Sequence, residues 1–142
     1  MKCITLNMPW ANWVALGWKP IETRTHERFK GLVGQRIGIH ASLKWDSKAL
    51  GLAEPYLTGY QVGRTAEFLR IGGAIICTAF VEDFRRLTEA DAKDALIECK
   101  TTRYGLVLRA VAQVEAIPCR GFQGIWNYDL TPPTKPNCKE AE

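Results

Sequence analysis

"YGLVLRAVAQVEAIPCRG", residues 104–121, carries two competing signals. Its alanines allow a helix. Val107, Val111, Val114 and Ile117, followed by Pro118, favour a long strand, because β-branched side chains are stiff in a helix and pack well on a pleated surface. The stretch is therefore read as a strand, and a strand of that length needs neighbours. "GAIICTAFVEDF" (73–84) is nearly continuously apolar and reads as a strand buried on both faces. In "QRIGIHAS" (35–42), Ile37, Ile39 and Ala41 share one face while Arg36, His40 and Ser42 share the other. "KCITLN" (2–7) alternates in the same way.

Helical signals are shorter. "MPWANWVAL" sets Trp10, Trp13, Val14 and Gly17 at helical spacing, with Pro9 near the first turn. Gly17 suits the position just past the helix, and Pro20 forbids its continuation. Thr88 and Asp91 in "LTEADAKDALIEC" have capping-box spacing before a short helix. Residues 43–73 read as short helical turns and loop, broken by Gly51, Pro55, Gly59 and Gly63. "GFQGIWN" reads as a turn with a packed Trp126, and "TPPTKPNCKEAE" as a loose tail. One domain over 1–128, with 129–142 as tail, follows. Its class is α+β, built on a small barrel-like sheet with flanking short helices.

Composition narrows the setting. Hydrophobic residues are 46% and charged residues 24%, ordinary for a globular chain. No apolar run is long enough to span a membrane, and the start is too short in apolar residues for a secretory signal, so a cytoplasmic location is expected. Cys3, Cys77, Cys99, Cys119 and Cys138 are widely spaced and contain no Cys-x-x-Cys pair. They read as buried reduced thiols, and no metal or organic cofactor is specified. The net charge of +4 is concentrated: between Lys19 and Lys48 stand seven basic residues and three acids, while the remainder cancels. Such a patch is either a solvated face or the footprint of a phosphate-bearing partner.

"GWKPIETRT" (17–25) lies in that patch. Pro20 pushes Lys19 into an extended conformation, and in the strand that follows Glu22 and Arg24 share one face, with Ile21 and Thr23 on the other. Lysine is a flexible point charge for a phosphate oxygen, and arginine a fork for bidentate contact. Glu22 has three open roles. It can hold Lys19 and Arg24 as an ion-pair clamp, accept hydrogen bonds from a nucleobase amine, or act as a general base.

Gly17, Lys19, Glu22 and Arg24 spell G-x-K-x-x-E-x-R, after one helix and before "RIGIHASLK". In that order, with the late "YGLVLRAVAQVEAIPCRGFQGIW" and its Gly-x-x-Gly-apolar-Trp ending, the chain resembles the ASCH (activating signal cointegrator homology) domains of the PUA-like superfamily over residues 3 to 128. The resemblance implies a PUA-like β-barrel with a cleft holding the Lys/Glu/Arg set, and association with RNA or DNA. One branch is an amidohydrolase of acetylated cytidine, in which a lysine matching Lys19 assists a threonine three residues later. Here that position is Glu22, which removes the threonine mechanism. Another member is described as a ribonuclease.

The leading expectation is thus a nucleic-acid-binding module, RNA before DNA, that takes a single-stranded or flipped nucleotide. Lys19, Arg24 and Lys44 would meet phosphate and Glu22 the base. Ser42 would line the cleft, Trp45 would stack on a base and Arg120 would rim the site beside Gln123. The alternative is a hydrolase of RNA or a modified nucleoside, with Lys19 polarising the scissile group and Glu22 activating water. His40 is either structural or a ligand contact. Trp10, Trp13 and Trp126 are expected in the core, and Arg28 and Lys30 in a solubilising loop. A monomer is the default.

Overall fold

The computed structural model describes residues 1–68 and 71–129. Six strands form one mixed sheet: β1 (Lys2–Met8), β2 (Ile21–Arg24), β3 (Arg36–Trp45), β4 (Ala74–Arg86), β5 (Tyr104–Pro118) and β6 (Trp126–Asn127). The order is β2–β5–β4–β3–β1–β6. β1 and β3 run parallel, and the other ladders are antiparallel. Short helices flank the sheet: α1 (Trp10–Ala15), α2 (Ala49–Ala53), α3 (Gly59–Phe68) and α4 (Ala92–Ala95).

Residues 104–118 form a strand because their apolar side chains have two partners, β4 on one edge and β2 on the other. β5 is not regular. Between Thr78↔Ala112 and Phe80↔Arg109, two of its residues oppose the single Ala79, and Ala110 takes φ 48°. Such a bulge bends a strand and increases its twist. The core lies where α1 meets the sheet, around Val14, Ile4, Ile37, Ile39, Val81 and Leu106. α1 ends as its sequence requires. Gly17 adopts φ 77° and its N–H donates to Val14 O at 3.0 Å, while Trp18 N–H donates to Trp13 O at 3.0 Å. That pair of bonds is the Schellman motif, which satisfies carbonyls the helix leaves open.

Residues 43–68 are more ordered than their glycines suggest. β3 runs on to Trp45, and α3 is a ten-residue helix. Thr58 and Gln61 cap it reciprocally: Thr58 N–H donates to Gln61 Oε1 at 2.9 Å, and Gln61 N–H to Thr58 Oγ1 at 3.1 Å. The fully buried Thr65 then accepts the Trp13 indole N–H at 2.9 Å. These bonds offset the helix cost of Gly59 and Gly63, about 1 kcal/mol each against alanine.

The ladder has two ends, β2 and β6. No pairing joins them among the described residues, so closure into a barrel is not part of the observed pairing. Cys3, Cys77 and Cys99 are buried free thiols, and Cys119 is half-buried and free. Cys138 and the tail from residue 130 lie outside the described residues. No described helix is long and apolar enough to cross a membrane.

Candidate functional site

Lys19 leaves the end of α1 and turns inward. Its side chain is 1% exposed, and Nζ donates to Ile21 O at 2.7 Å and to Ala95 O at 2.5 Å. Ala95 is the last residue of α4, where a helix leaves carbonyls without internal partners and favours a cation. The ammonium also sits 5.1 Å from the centre of the Trp10 ring. Burial pushes the Lys19 pKa below its usual value, with the Glu22 charge opposing that fall.

Beside this brace lies a cleft of about 1020 Å³. Most of its lining comes from three places: β2 and the loop after it, β1 with β3, and the segment 119–125 that leads into β6; Trp10 of α1, Asp46, Leu52 of α2, Gly73 and Ile97 complete it. The β2 end of the sheet and the segment that leads to its β6 end thus border one cavity. Glu22, Thr23 and Arg24 all line it from β2, so the cleft takes in Thr23 as well as the pair expected to share a face. Glu22 is 6% exposed, and its Oε2 is buried without a hydrogen-bond partner. Arg24 lies over the buried Phe29 ring at 4.6 Å. Its Nε and Nη2, which together form one bidentate edge, are also buried and unpartnered. Among the described residues no ion pair joins Lys19, Glu22 and Arg24.

His40 enters from β3, 2% exposed. Its Nε2 lies 2.8 Å from Cys119 O and must donate there, since a carbonyl only accepts. Nδ1 is left buried and unpartnered. The ring meets Trp126 edge-on, with centroids 5.5 Å apart. Gly121 allows this closeness, because a Cβ there would collide with the His40 ring and lie 2.6 Å from Thr5 Oγ1. At the mouth stand the exposed cations Arg28, Lys44 and Arg120. Desolvation lowers the pKa of neighbouring His26, and the charges of Arg28 and Arg24 lower it further.

The backbone has solved counterparts. A crystal structure of ASCH from Zymomonas mobilis matches with a TM-score of 0.58 at 13% identity, over 91% of this chain and 87% of that one. Crystal structures of two mutant forms of that protein give 0.53 at 15% identity and 0.51 at 14%. Each covers 91% of this chain, with 88% and 90% of the other covered. This chain has the ASCH fold. No protein-family model matches the sequence, and no curated protein does.

Within the ASCH fold the expected residues divide. Glu22, Arg24, Ser42, Lys44 and Arg120 all line the cleft. Ser42 is committed to local structure: its hydroxyl donates to Asn7 Oδ1 at 2.9 Å and accepts Lys44 N–H at 3.1 Å. Lys19 does not line the cleft and cannot serve there as phosphate contact or polarising acid, because two carbonyls hold its ammonium inside. Trp45 is half-buried against the core and is not a lining residue. The ion-pair clamp fails too, since Glu22 makes no such pair. Trp13 and Trp126 are core, as expected, whereas Trp10 reaches the cleft and donates its indole N–H to Asp46 Oδ2 at 2.8 Å. Sequence reasoning missed Phe122 and assigned Arg28 to solubility. The glycines flanking "GFQG" were the available signal for Phe122, since a turn apex presents its side chain outward.

Proposed function

We propose that the cleft binds single-stranded nucleic acid, RNA before DNA, with a base against Glu22 and phosphates on Arg24, Lys44 and Arg120. The observation that carries this is the unpartnered Glu22 Oε2 and the unpartnered Arg24 edge, both buried in the wall of one cavity. A buried polar atom without a partner costs about 1–3 kcal/mol, so a ligand that supplies the missing bonds recovers that cost on binding. A phosphate alone gains nothing from a carboxylate in its site. A nucleobase amine does, because it brings the donor that Glu22 lacks. The cations at the mouth add the electrostatic part of the affinity. The ASCH fold supports the same reading, since the sequence resemblance implies nucleic acid as ligand.

The test is fluorescence anisotropy with labelled eight-nucleotide RNA and DNA strands at low salt. Glu22→Gln is expected to weaken RNA binding at least tenfold with the fold retained, as circular dichroism checks, because the variant keeps the shape of the side chain and removes the charged acceptor. No binding of either strand by the native chain refutes the proposal. Mass detection of product in the same samples addresses the hydrolase alternative, in which Glu22 acts as base without help from Lys19. Turnover abolished by Glu22→Gln would favour it.

A further inference from the structure

The mouth of the cleft exposes apolar surface that a single nucleotide does not use. Seven large apolar side chains are exposed among the described residues, and four of them, Leu43, Leu52, Phe122 and Ile125, line this cavity. Exposed apolar groups gathered around one polar cleft mark a binding surface. Phe122 is the informative one. Its ring is 50% exposed yet fixed, packed against Trp126 with centroids 5.6 Å apart at 66°. Trp126 is itself held by its indole N–H, which donates to Thr5 Oγ1 at 3.0 Å. The Arg120 guanidinium stands 5.3 Å from the Phe122 ring centre. Gly121, pressed against His40 and Thr5, fixes the backbone from which Phe122 projects. The cavity, about 1020 Å³, lies at the top of the range for drug-sized ligands, roughly 300–1,000 Å³.

We infer that the cleft engages a strand segment and not an isolated nucleoside: one base lies in the cavity, the adjacent base stacks on Phe122, and the phosphate between them meets Arg120. This rests on the nucleic-acid reading above and specifies the ligand's minimum length. An aromatic ring beside a cation is the pairing that single-strand binders use, because every base has a face to stack and a phosphate next to it. Such a stack changes affinity by roughly 5- to 150-fold.

The experiment titrates the full chain, by calorimetry at one fixed salt concentration, with the four nucleoside 5′-monophosphates and a mixed-sequence trinucleotide. The native protein should bind the trinucleotide at least tenfold more tightly than any monophosphate. In Phe122→Leu, which keeps apolar bulk but has no aromatic face, that advantage should fall below threefold, while Phe122→Trp retains it. A trinucleotide advantage that survives Phe122→Leu would come from phosphate charge alone and overturns the inference. Equal affinity for monophosphate and trinucleotide overturns it as well, leaving the nucleotide site standing. Absence of binding by every probe removes the nucleic-acid reading and this inference together. The half-exposed position of Phe122 keeps both variants foldable, which circular dichroism checks.

Discussion

A lysine ammonium has three donors, and in Lys19 two of them are filled by backbone carbonyls. Replacing Lys19 with methionine preserves the bulk and leaves Ile21 O and Ala95 O without that donor. The expected loss is about 2–4 kcal/mol, read from the urea unfolding midpoint. The pH dependence is a sharper check. Burial lowers the Lys19 pKa in the folded chain below the ordinary 10.5. Between the two values the unfolded chain binds the extra proton, so the Lys19 contribution to stability grows as pH rises through that window and is complete above 10.5. The native-minus-methionine difference in unfolding free energy should therefore widen as pH rises toward 10.5; a constant difference would contradict a lowered Lys19 pKa. At this scale the sequence was readable only in part. The sequence placed Glu22 and Arg24 together on β2, where both line the cleft, but did not foresee that Thr23 lines it too. The fate of the Lys19 ammonium depends on Ala95, 76 residues away, and no local pattern encodes that.

Between single residues and the sheet stands α4, which presents the Ala95 carbonyl to Lys19. It follows directly on a 3-10 turn, Glu89–Asp91, which opens with the capping box that the Thr88/Asp91 spacing announces. Asp91 accepts two Arg85 N–H groups at 2.9 Å each and the Thr88 N–H at 2.9 Å. These bonds, Arg85 first, hold the Asp91 pKa down to about 2 from 3.8. A depressed carboxyl stabilises the fold above its unfolded pKa and ceases to do so as pH falls from 3.8 toward 2. Asp91→Asn should thus lower stability at pH 7 by up to about 1 kcal/mol, because the amide has no charge and one acceptor oxygen in place of the two that hold the Arg85 fork. The variant should also show a shallower decline in acid, measured by unfolding from pH 7 to pH 2. Screening at the 42% exposed Arg85 side chain keeps the effect modest. Elements with a strong local signature were legible: the capping box, the glycine stop of α1, and β5, where β-branched residues outweighed alanines. α3 was not, because Gly59 and Gly63 masked a Thr58-x-x-Gln61 box equally present in the sequence, and because its anchor is a bond from Trp13 across 52 residues.

For the molecule as a whole, the question is where its positive charge faces. The sequence located the excess between Lys19 and Lys48, but a linear segment does not share one surface once folded. Lys19 is buried, Arg28 and Lys44 reach the cleft, and Arg36 turns to donate to Thr78 Oγ1 at 2.9 Å without lining it. Arg120 joins the mouth from beyond β5 because the segment 119–125 carries the chain to β6 beside β1. Sheet order, not sequence proximity, assembles the basic rim. The consequence is a graded salt response. On single strands each phosphate contact contributes about 0.7 to the slope of log affinity against log salt. Arg28→Ala and Lys44→Ala should each flatten that slope by about 0.7 if each meets one phosphate, with unchanged melting temperatures because both side chains are exposed. Arg36→Ala removes the same unit of charge from the same basic segment and should leave the slope where it was. If all three variants flatten it equally, in anisotropy titrations between 50 and 200 mM salt (a span of about 0.6 log units), binding follows net charge alone and the cleft has no privileged role.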